Sequence, residues 1–62
     1  MPAMKVSMHV YAPEGSQRFI ILNGARMGEG DSQDELIVRE IHPDGTLFEF
    51  HNQRFFYPRD GL

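Results

Sequence analysis

The sequence predicts an all-β domain, and three local patterns support this. The apolar run Phe19 to Leu22 ends in Asn-Gly, and Pro43-Asp44-Gly45 separates two further segments rich in apolar residues. Asn-Gly and Asp-Gly allow the positive φ angles of tight hairpin turns. Lys5 to Tyr11 alternates polar and apolar residues with the period of a half-buried strand. No segment has the pattern of a helix of ordinary length, so we expect antiparallel strands.

Length and composition limit the chain to one small domain. A chain of 62 residues has one core, and without cysteine or a metal-ligand pair its stability must come from packing. We expect this domain to span residues 5–58, with residues 59–62 as a C-terminal tail. Residues 1–4, Met-Pro-Ala-Met, resemble an expression start placed before a domain, which suggests a fragment of a longer protein.

The charge balance argues against nucleic acid and membrane partners. Six basic and nine acidic residues give a net charge of −3. No three consecutive residues carry like charges, so we expect no surface that follows a phosphate backbone. No apolar stretch approaches the roughly 20 residues that span a bilayer, and no signal peptide is recognisable.

The first strand is predicted from Lys5 to Tyr11. Its alternation defines a buried face and an exposed face, with Val6, Met8 and Val10 on the former and Lys5, Ser7 and His9 on the latter. The following loop, residues 12–17, is too long for a tight hairpin. The second strand therefore need not pair with the first.

The second strand, Arg18 to Leu22, is almost continuously apolar, as expected of a strand in the middle of a small sheet or barrel. Asn23-Gly24 should turn it into the short segment Ala25 to Met27. Gly28 to Asp31 then forms a bend. Ser32 to Glu35 is predicted to be an exposed acidic loop, and the alternative is a single helical turn within Ser32 to Leu36.

The C-terminal half is predicted to form three strands. Leu36 to Ile41 alternates but slips by one residue, which a β-bulge near Arg39 or Glu40 would absorb. The other two strands are Leu47 to Phe50 and Arg54 to Tyr57, and a short turn joins them.

No enzymatic, metal or cofactor site is predicted. His9, His42 and His51 lack the spacing of a ligand set and an orienting partner, so they are more simply surface residues. The serines lie in polar alternation or in loops, without a nucleophile elbow. Gly28 and Gly30 do not predict a phosphate loop, because acidic residues surround them and no apolar helix follows. We expect a non-enzymatic binding module.

The aromatic residues of the C-terminal half have three interpretations: a buried core, a base-stacking platform or a partner pocket. The residues are Phe48, Phe50, Phe55, Phe56 and Tyr57. A base-stacking platform needs interleaved basic residues, and only Arg54 and Arg59 lie nearby. A chain without disulfides or metal needs these rings for its core, so we expect them to be buried.

An edge strand is the main candidate for partner binding, because it presents unpaired N–H and C=O groups that another chain can complete. The first strand is that candidate, with the residues Lys5, Val6, Ser7, Met8, His9, Val10 and Tyr11. An ordinary edge, protected by its twist and by its lysine, is an equally good interpretation. The alternative partner face lies around the second hairpin and comprises Arg39, His42 and Arg54.

Five segments occur in a characteristic order and spacing. They are His9-Val10-Tyr11, Gln17 to Gly24, Gly30-Asp31, Val38 to Gly45 and Gln53-Arg54-Phe55. Together they resemble the C-terminal periplasmic domain of the type II secretion system protein B family, over about Met8 to Tyr57. The order of a strand with an Asn-Gly turn, a Gly-Asp bend and an Ile-x-Pro-Asp-Gly hairpin also resembles the homology-region domains of type II protein C and type IV pilus protein P.

The resemblance implies a small six-stranded antiparallel β-sandwich or partly open barrel that acts as a periplasmic scaffold. In the family, this domain follows an inner-membrane helix and a linker, and neither is in this chain. Family members dock onto the periplasmic N-terminal domains of the outer-membrane secretin. The resemblance therefore implies the secretin as partner, other inner-membrane secretion components as further partners, and no cofactor. We expect β-strand addition as the binding mode. The alternative is a cytosolic SH3-like small barrel that binds nucleic acid or a peptide.

Overall fold

The computed structural model describes residues 4–59 and consists almost entirely of strands. The elements are β1 (Val6–Val10), a 3-10 turn (Gly15–Gln17), β2 (Phe19–Leu22), β3 (Ala25–Met27), β4 (Ser32–Gln33), β5 (Leu36–His42), β6 (Gly45–Phe50) and β7 (Gln53–Pro58). They form two antiparallel sheets, in the orders β1-β2-β3 and β4-β5-β6-β7. The all-β prediction is confirmed, with seven strands instead of six.

One core joins the two sheets. The three-stranded sheet contributes Val6, Ile20, Leu22 and Met27, and the four-stranded sheet contributes Leu36, Val38, Ile41 and Phe48. β2 lies in the middle of its sheet, as predicted, and its two fully buried residues alternate with half-buried ones. The strands divide into two separate sheets, which do not close into a barrel.

Three of the four two-residue hairpin turns in residues 4–59 have positive φ at both central residues. Asn23 and Gly24 have φ angles of 51° and 84°, and two further pairs of turn residues, Asp34-Glu35 and His51-Asn52, also have positive φ at both positions. This geometry matches the twist of paired strands. The first turn was predicted from Asn-Gly. The turn Asp34-Glu35 was not predicted. This segment was expected to be an exposed loop or a helical turn, and both predictions are wrong because Ser32–Gln33 forms a strand that pairs with β5.

Two further expectations about the strands have different outcomes. β1 pairs directly with β2, although the loop between them is long. The 3-10 turn within that loop shortens its path, which the count of loop residues did not reveal. The predicted bulge in β5 is confirmed, because the register with β6 shifts between Val38 and Glu40.

The aromatic residues are mostly part of the core, as predicted. Phe48 is fully buried, and three partly buried rings pack against the core cluster, Phe50, Phe55 and Tyr57. Phe56 is the exception, with 45% of its surface exposed. It points to the outer face of the sheet because successive residues of a strand face opposite sides.

The expected start and tail fall largely outside the described residues. Met4 packs against the core. The N–H of Arg59 donates to the carbonyl oxygen of Asp44 at 2.8 Å, which continues the pairing of β6 and β7 by one step.

Candidate functional site

β1 is an edge strand of the three-stranded sheet. It pairs with β2 from Val6, opposite Leu22, to Val10, opposite Phe19. The register shifts between Val6 and Met8, so Ser7 is the extra residue of a β-bulge. The predicted docking strand is therefore an open edge, but an irregular one.

The bulge changes which side chains of β1 face the core. Val6 is buried, whereas Met8 is 49% exposed and His9 is half-buried. The predictions that Met8 faces the core and that His9 lies on the exposed face are wrong. An extra residue reverses the alternation from that point onward.

His9 connects the two sheets. Its Nε2 donates to the carbonyl oxygen of His42 at 2.7 Å, and its Nδ1 lies 3.4 Å from the hydroxyl of the buried Thr46. Nδ1 accepts from that hydroxyl when the ring proton is on Nε2. The side chain of His9 therefore positions β1 against the hairpin of β5 and β6. Any pairing of His9 with an added strand would use its main-chain N–H and C=O groups.

Two residues of β1 direct their main-chain groups away from β2. The N–H of Asn23 donates to the carbonyl oxygen of Lys5 at 2.8 Å, which shows that the groups of Lys5 face β2. In an antiparallel strand, the N–H and C=O groups of successive residues point alternately toward and away from the neighbouring strand. The alternation turns the groups of Val6 outward and, beyond the bulge, those of His9.

A cleft lies at the C-terminal end of β1. Its lining consists of His9, Val10, Tyr11, Pro43 and Arg59. The guanidinium of Arg18 covers the Tyr11 ring at 4.7 Å and forms an ion pair with Glu29 at 3.3 Å. The cleft thus combines an aromatic wall with cationic groups at the end of the candidate edge.

The alternative face contains an ion-pair triad on the outer side of the four-stranded sheet. Glu49 accepts from Nε of Arg39 at 3.0 Å, from Nη2 of Arg39 at 3.1 Å and from Nε of Arg54 at 3.1 Å. The hydrogen bonds from Arg39, followed by the one from Arg54, lower the pKa of Glu49, and the pairing with Glu49 raises the pKa of Arg39. The shared carboxylate of Glu49 therefore holds the side chains of Arg39 and Arg54 next to each other.

His42 lies apart from that triad. It occupies the opposite end of the sheet, where it pairs with Gly45, and its Nε2 lies 2.8 Å from Oε1 of Glu40. Its ring centroid is 6.3 Å from that of Phe56. The three predicted residues of the alternative face are thus not one cluster.

Two contributors to this outer face, Glu49 and Phe56, were not predicted from the sequence. Glu49 was not singled out because Arg39 and Arg54 lie ten and five residues away in sequence and meet it through the pairing of β5, β6 and β7. The exposure of Phe56 did have a local signal. Arg54, Phe56 and Pro58 alternate in sequence, and a strand face that carries an arginine and a proline is usually the solvent face.

The described part of the chain contains no candidate site for a metal ion and no helix suited to crossing a membrane. Between residues 4 and 59, no group of three His, Cys, Asp or Glu side chains could hold a metal ion. Every buried side-chain polar atom in that range has a hydrogen-bond partner. No helix in the same range is long and apolar enough to cross a membrane.

Comparison with known proteins gives two similar relatives. General secretion pathway protein B of Klebsiella pneumoniae is 39% identical over 56 residues, which are 89% of this chain and 32% of that protein. General secretion pathway protein B of Dickeya dadantii (strain 3937) is 36% identical over 56 residues, which are 89% of this chain and 26% of that protein. The chain thus spans about a quarter to a third of the length of these relatives. No solved structure matches it.

The sequence model of the family described as "Type II secretion system protein B" matches residues 1–58. This match covers both sheets, from β1 to β7. The resemblance seen in the sequence is confirmed, and the chain belongs to the type II secretion system protein B family.

Proposed function

We propose that this chain is a non-enzymatic periplasmic scaffold domain of a type II secretion system. Its partner is the outer-membrane secretin, whose periplasmic N-terminal domains it binds and thereby helps to assemble or stabilise. Family membership supports the secretion system, and the resemblance to periplasmic homology-region domains supports the compartment and the partner.

The observation that carries the proposed mode of binding is the open edge at β1. The outward main-chain groups of Val6 and His9 can pair with a strand of the secretin, as in other cases of β-strand addition. Exposed Met8 and Tyr11 give that strand apolar side chains to cover. The cleft at the end of β1 extends the same surface.

The experiment compares two substitutions at one position. His9→Ala and His9→Pro both remove the contacts of the imidazole with the second hairpin, but only His9→Pro also removes the outward N–H. Calorimetric titration with the secretin's periplasmic domains should give a three- to tenfold weaker affinity for His9→Pro than for His9→Ala, roughly the effect of one main-chain hydrogen bond. Circular dichroism must first show that both variants fold.

Two outcomes would count against this proposal in different ways. Equal affinities of the two variants would exclude β1 as the docking edge and direct attention to Arg39, His42 and Arg54. The absence of binding by the parent chain at high micromolar concentration would remove the secretin as its partner. Ser7→Pro is not suitable for this experiment, because the bulge at Ser7 makes its main-chain pairing irregular.

A further inference from the structure

β7 is a second open edge, and its pairing is the more regular of the two. It is the last strand of the four-stranded sheet and pairs with β6 over six residues without a register shift, from Gln53 to Pro58. The other edges are shorter or irregular. β3 has three residues, β4 has two, and β1 contains a bulge.

The register shows which main-chain groups of β7 face away from β6. The two-residue turn makes Phe50 and Gln53 a hydrogen-bonded pair, so the next such pairs along the ladder involve Phe55 and Tyr57. The N–H and C=O groups of Arg54 and Phe56 therefore point outward. Pro58 fits this assignment, because a proline lacks an N–H and is tolerated where that group would face solvent.

The side chains of these two residues also favour an added strand. Phe56 is 45% exposed on the outer face. The side chain of Arg54 is 60% exposed, but its Nε is held by Glu49, which belongs to β6. Arg54 therefore leans over the sheet and does not stand at the edge as a protective charge, which is the usual role of a basic residue on an edge strand.

Charge and apolar surface define what would pair with β7. Glu49 carries one negative charge and is shared by two arginines, so the triad has a net charge of +1. In residues 4–59, Nε is the atom of Arg54 that forms a hydrogen bond, and its two Nη groups remain available as donors. A glutamate on an added strand would reach them, and an apolar residue two positions away would cover Phe56.

We propose that β7 binds an extended segment of another polypeptide by strand addition, with a glutamate beside Arg54 and an apolar residue beside Phe56. This site is separate from β1, because the two strands are edges of different sheets. The domain would then hold one partner strand on each sheet and could join two components of an assembly. The inference does not depend on the secretin as the partner of β1.

The test uses this chain, labelled with ¹⁵N, and two synthetic seven-residue peptides. One peptide is Thr-Val-Thr-Glu-Thr-Val-Thr, in which valine stands two positions from the central glutamate, and the other has lysine in place of that glutamate. We expect the glutamate peptide to shift the amide resonances of β7 and to slow hydrogen exchange at Arg54 and Phe56. The lysine peptide should bind at least about threefold more weakly, because its charge repels Arg54.

Two variants of one residue separate main-chain pairing from side-chain contact. Phe56→Ala removes the ring, whereas Phe56→Pro removes the ring and the outward N–H. Phe56→Pro should bind the glutamate peptide about three- to tenfold more weakly than Phe56→Ala. If Phe56→Pro does not fold, the exchange rates of Arg54 and Phe56 in the parent chain decide the question.

Three results would overturn the proposal. They are resonance shifts at β1 in place of β7, equal affinity for the two peptides, and unchanged exchange at Arg54 and Phe56 when the peptide is bound. Slowed exchange at these amides that depends on protein concentration in the absence of peptide would identify a second copy of the chain as the occupant. That result would also reject a foreign strand.

Discussion

Gly45 packs directly against the ring of Phe56, and a side chain at position 45 would clash with that ring. A Cβ atom on Gly45 would lie 2.5 Å from Cζ of Phe56 and 2.5 Å from the carbonyl oxygen of Tyr57. Gly45 is the first residue of β6 and pairs with His42, so the two turn residues are Pro43 and Asp44. Positive φ among the described glycines occurs at Gly24 and Gly30, so the expected positive φ of an Asp-Gly turn is wrong here.

Gly45→Val should destabilise the domain by about 1–3 kcal/mol through overpacking against β7. Thermal and urea unfolding measure this effect. Gly28→Ala is the matched control, because its Cβ would lie 3.6 Å from the nearest atoms, an ordinary contact distance. The double variant Gly45→Val with Phe56→Ala should recover only part of the loss, since the Tyr57 oxygen still obstructs the side chain. An unchanged melting temperature for Gly45→Val would contradict the packing seen here.

The case of Gly45 illustrates what the sequence could and could not predict. The pattern around it predicted a hairpin correctly, because turn residues and apolar alternation act locally. The reason for the glycine was not predictable, because the Phe56 ring comes from a different strand. The bulge in β5 left a signal, a slip in the spacing of Val38 and Ile41, and was predicted.

The errors in β1 have the same kind of cause. Its bulge at Ser7 leaves no slip in the sequence, because Met8 is apolar and fits the buried pattern although it is exposed. His9 turns inward because a hydroxyl and a carbonyl oxygen of the other sheet hold its ring. The open edge could be predicted from the position of the strand, but the contacts across the two sheets could not.

Glu49→Gln should destabilise the domain and lessen its dependence on pH. The side chain of Glu49 is 11% exposed and accepts hydrogen bonds from Arg39 and Arg54, which the neutral amide binds less strongly. Arg39 and then Arg54 lower the pKa of Glu49 in the folded state. A lowered pKa contributes stability above the pKa of the unfolded state, and this contribution is lost as pH falls through the folded pKa.

Unfolding by urea, measured from pH 7 down to pH 3, checks this prediction. The difference between the parent and Glu49→Gln should be largest near neutral pH and should shrink on acidification. Glu40→Gln is the control, because the carboxylate of Glu40 is exposed and its partner is His42 and not an arginine. A difference that is independent of pH would show that packing, and not the charge of Glu49, is responsible.

Glu35→Gly should stabilise the domain by about 0.5 kcal/mol. Glu35 has a φ of 69° in the turn between β4 and β5. This conformation is energetically unfavourable for a residue with a side chain, whereas glycine adopts it without strain. The greater flexibility of glycine in the unfolded chain offsets only part of this stabilisation. The contact of Glu35 with His51 is exposed on both sides, so its loss costs little.

Thermal unfolding should show an increase of about 2–4 °C in the melting temperature of Glu35→Gly. The matched control is Glu14→Gly, because Glu14 has a φ of −87°, which any residue adopts. This second variant should be unchanged or slightly less stable. A lower melting temperature for Glu35→Gly would mean that the bond to His51 outweighs the backbone strain.

The chain should bind nucleic acid weakly or not at all, which separates a secretion scaffold from the nucleic-acid-binding alternative. Its net charge of −3 opposes the release of counterions that drives such binding. Three of its arginines, Arg18, Arg39 and Arg54, already form ion pairs with glutamates, so few cations remain for phosphates. We expect no retention on heparin at about 0.15 M salt and no mobility shift with single-stranded DNA at low micromolar concentration. Retention that the substitution Glu49→Gln strengthens would show instead that the arginine triad is a phosphate site, and would revive the alternative function.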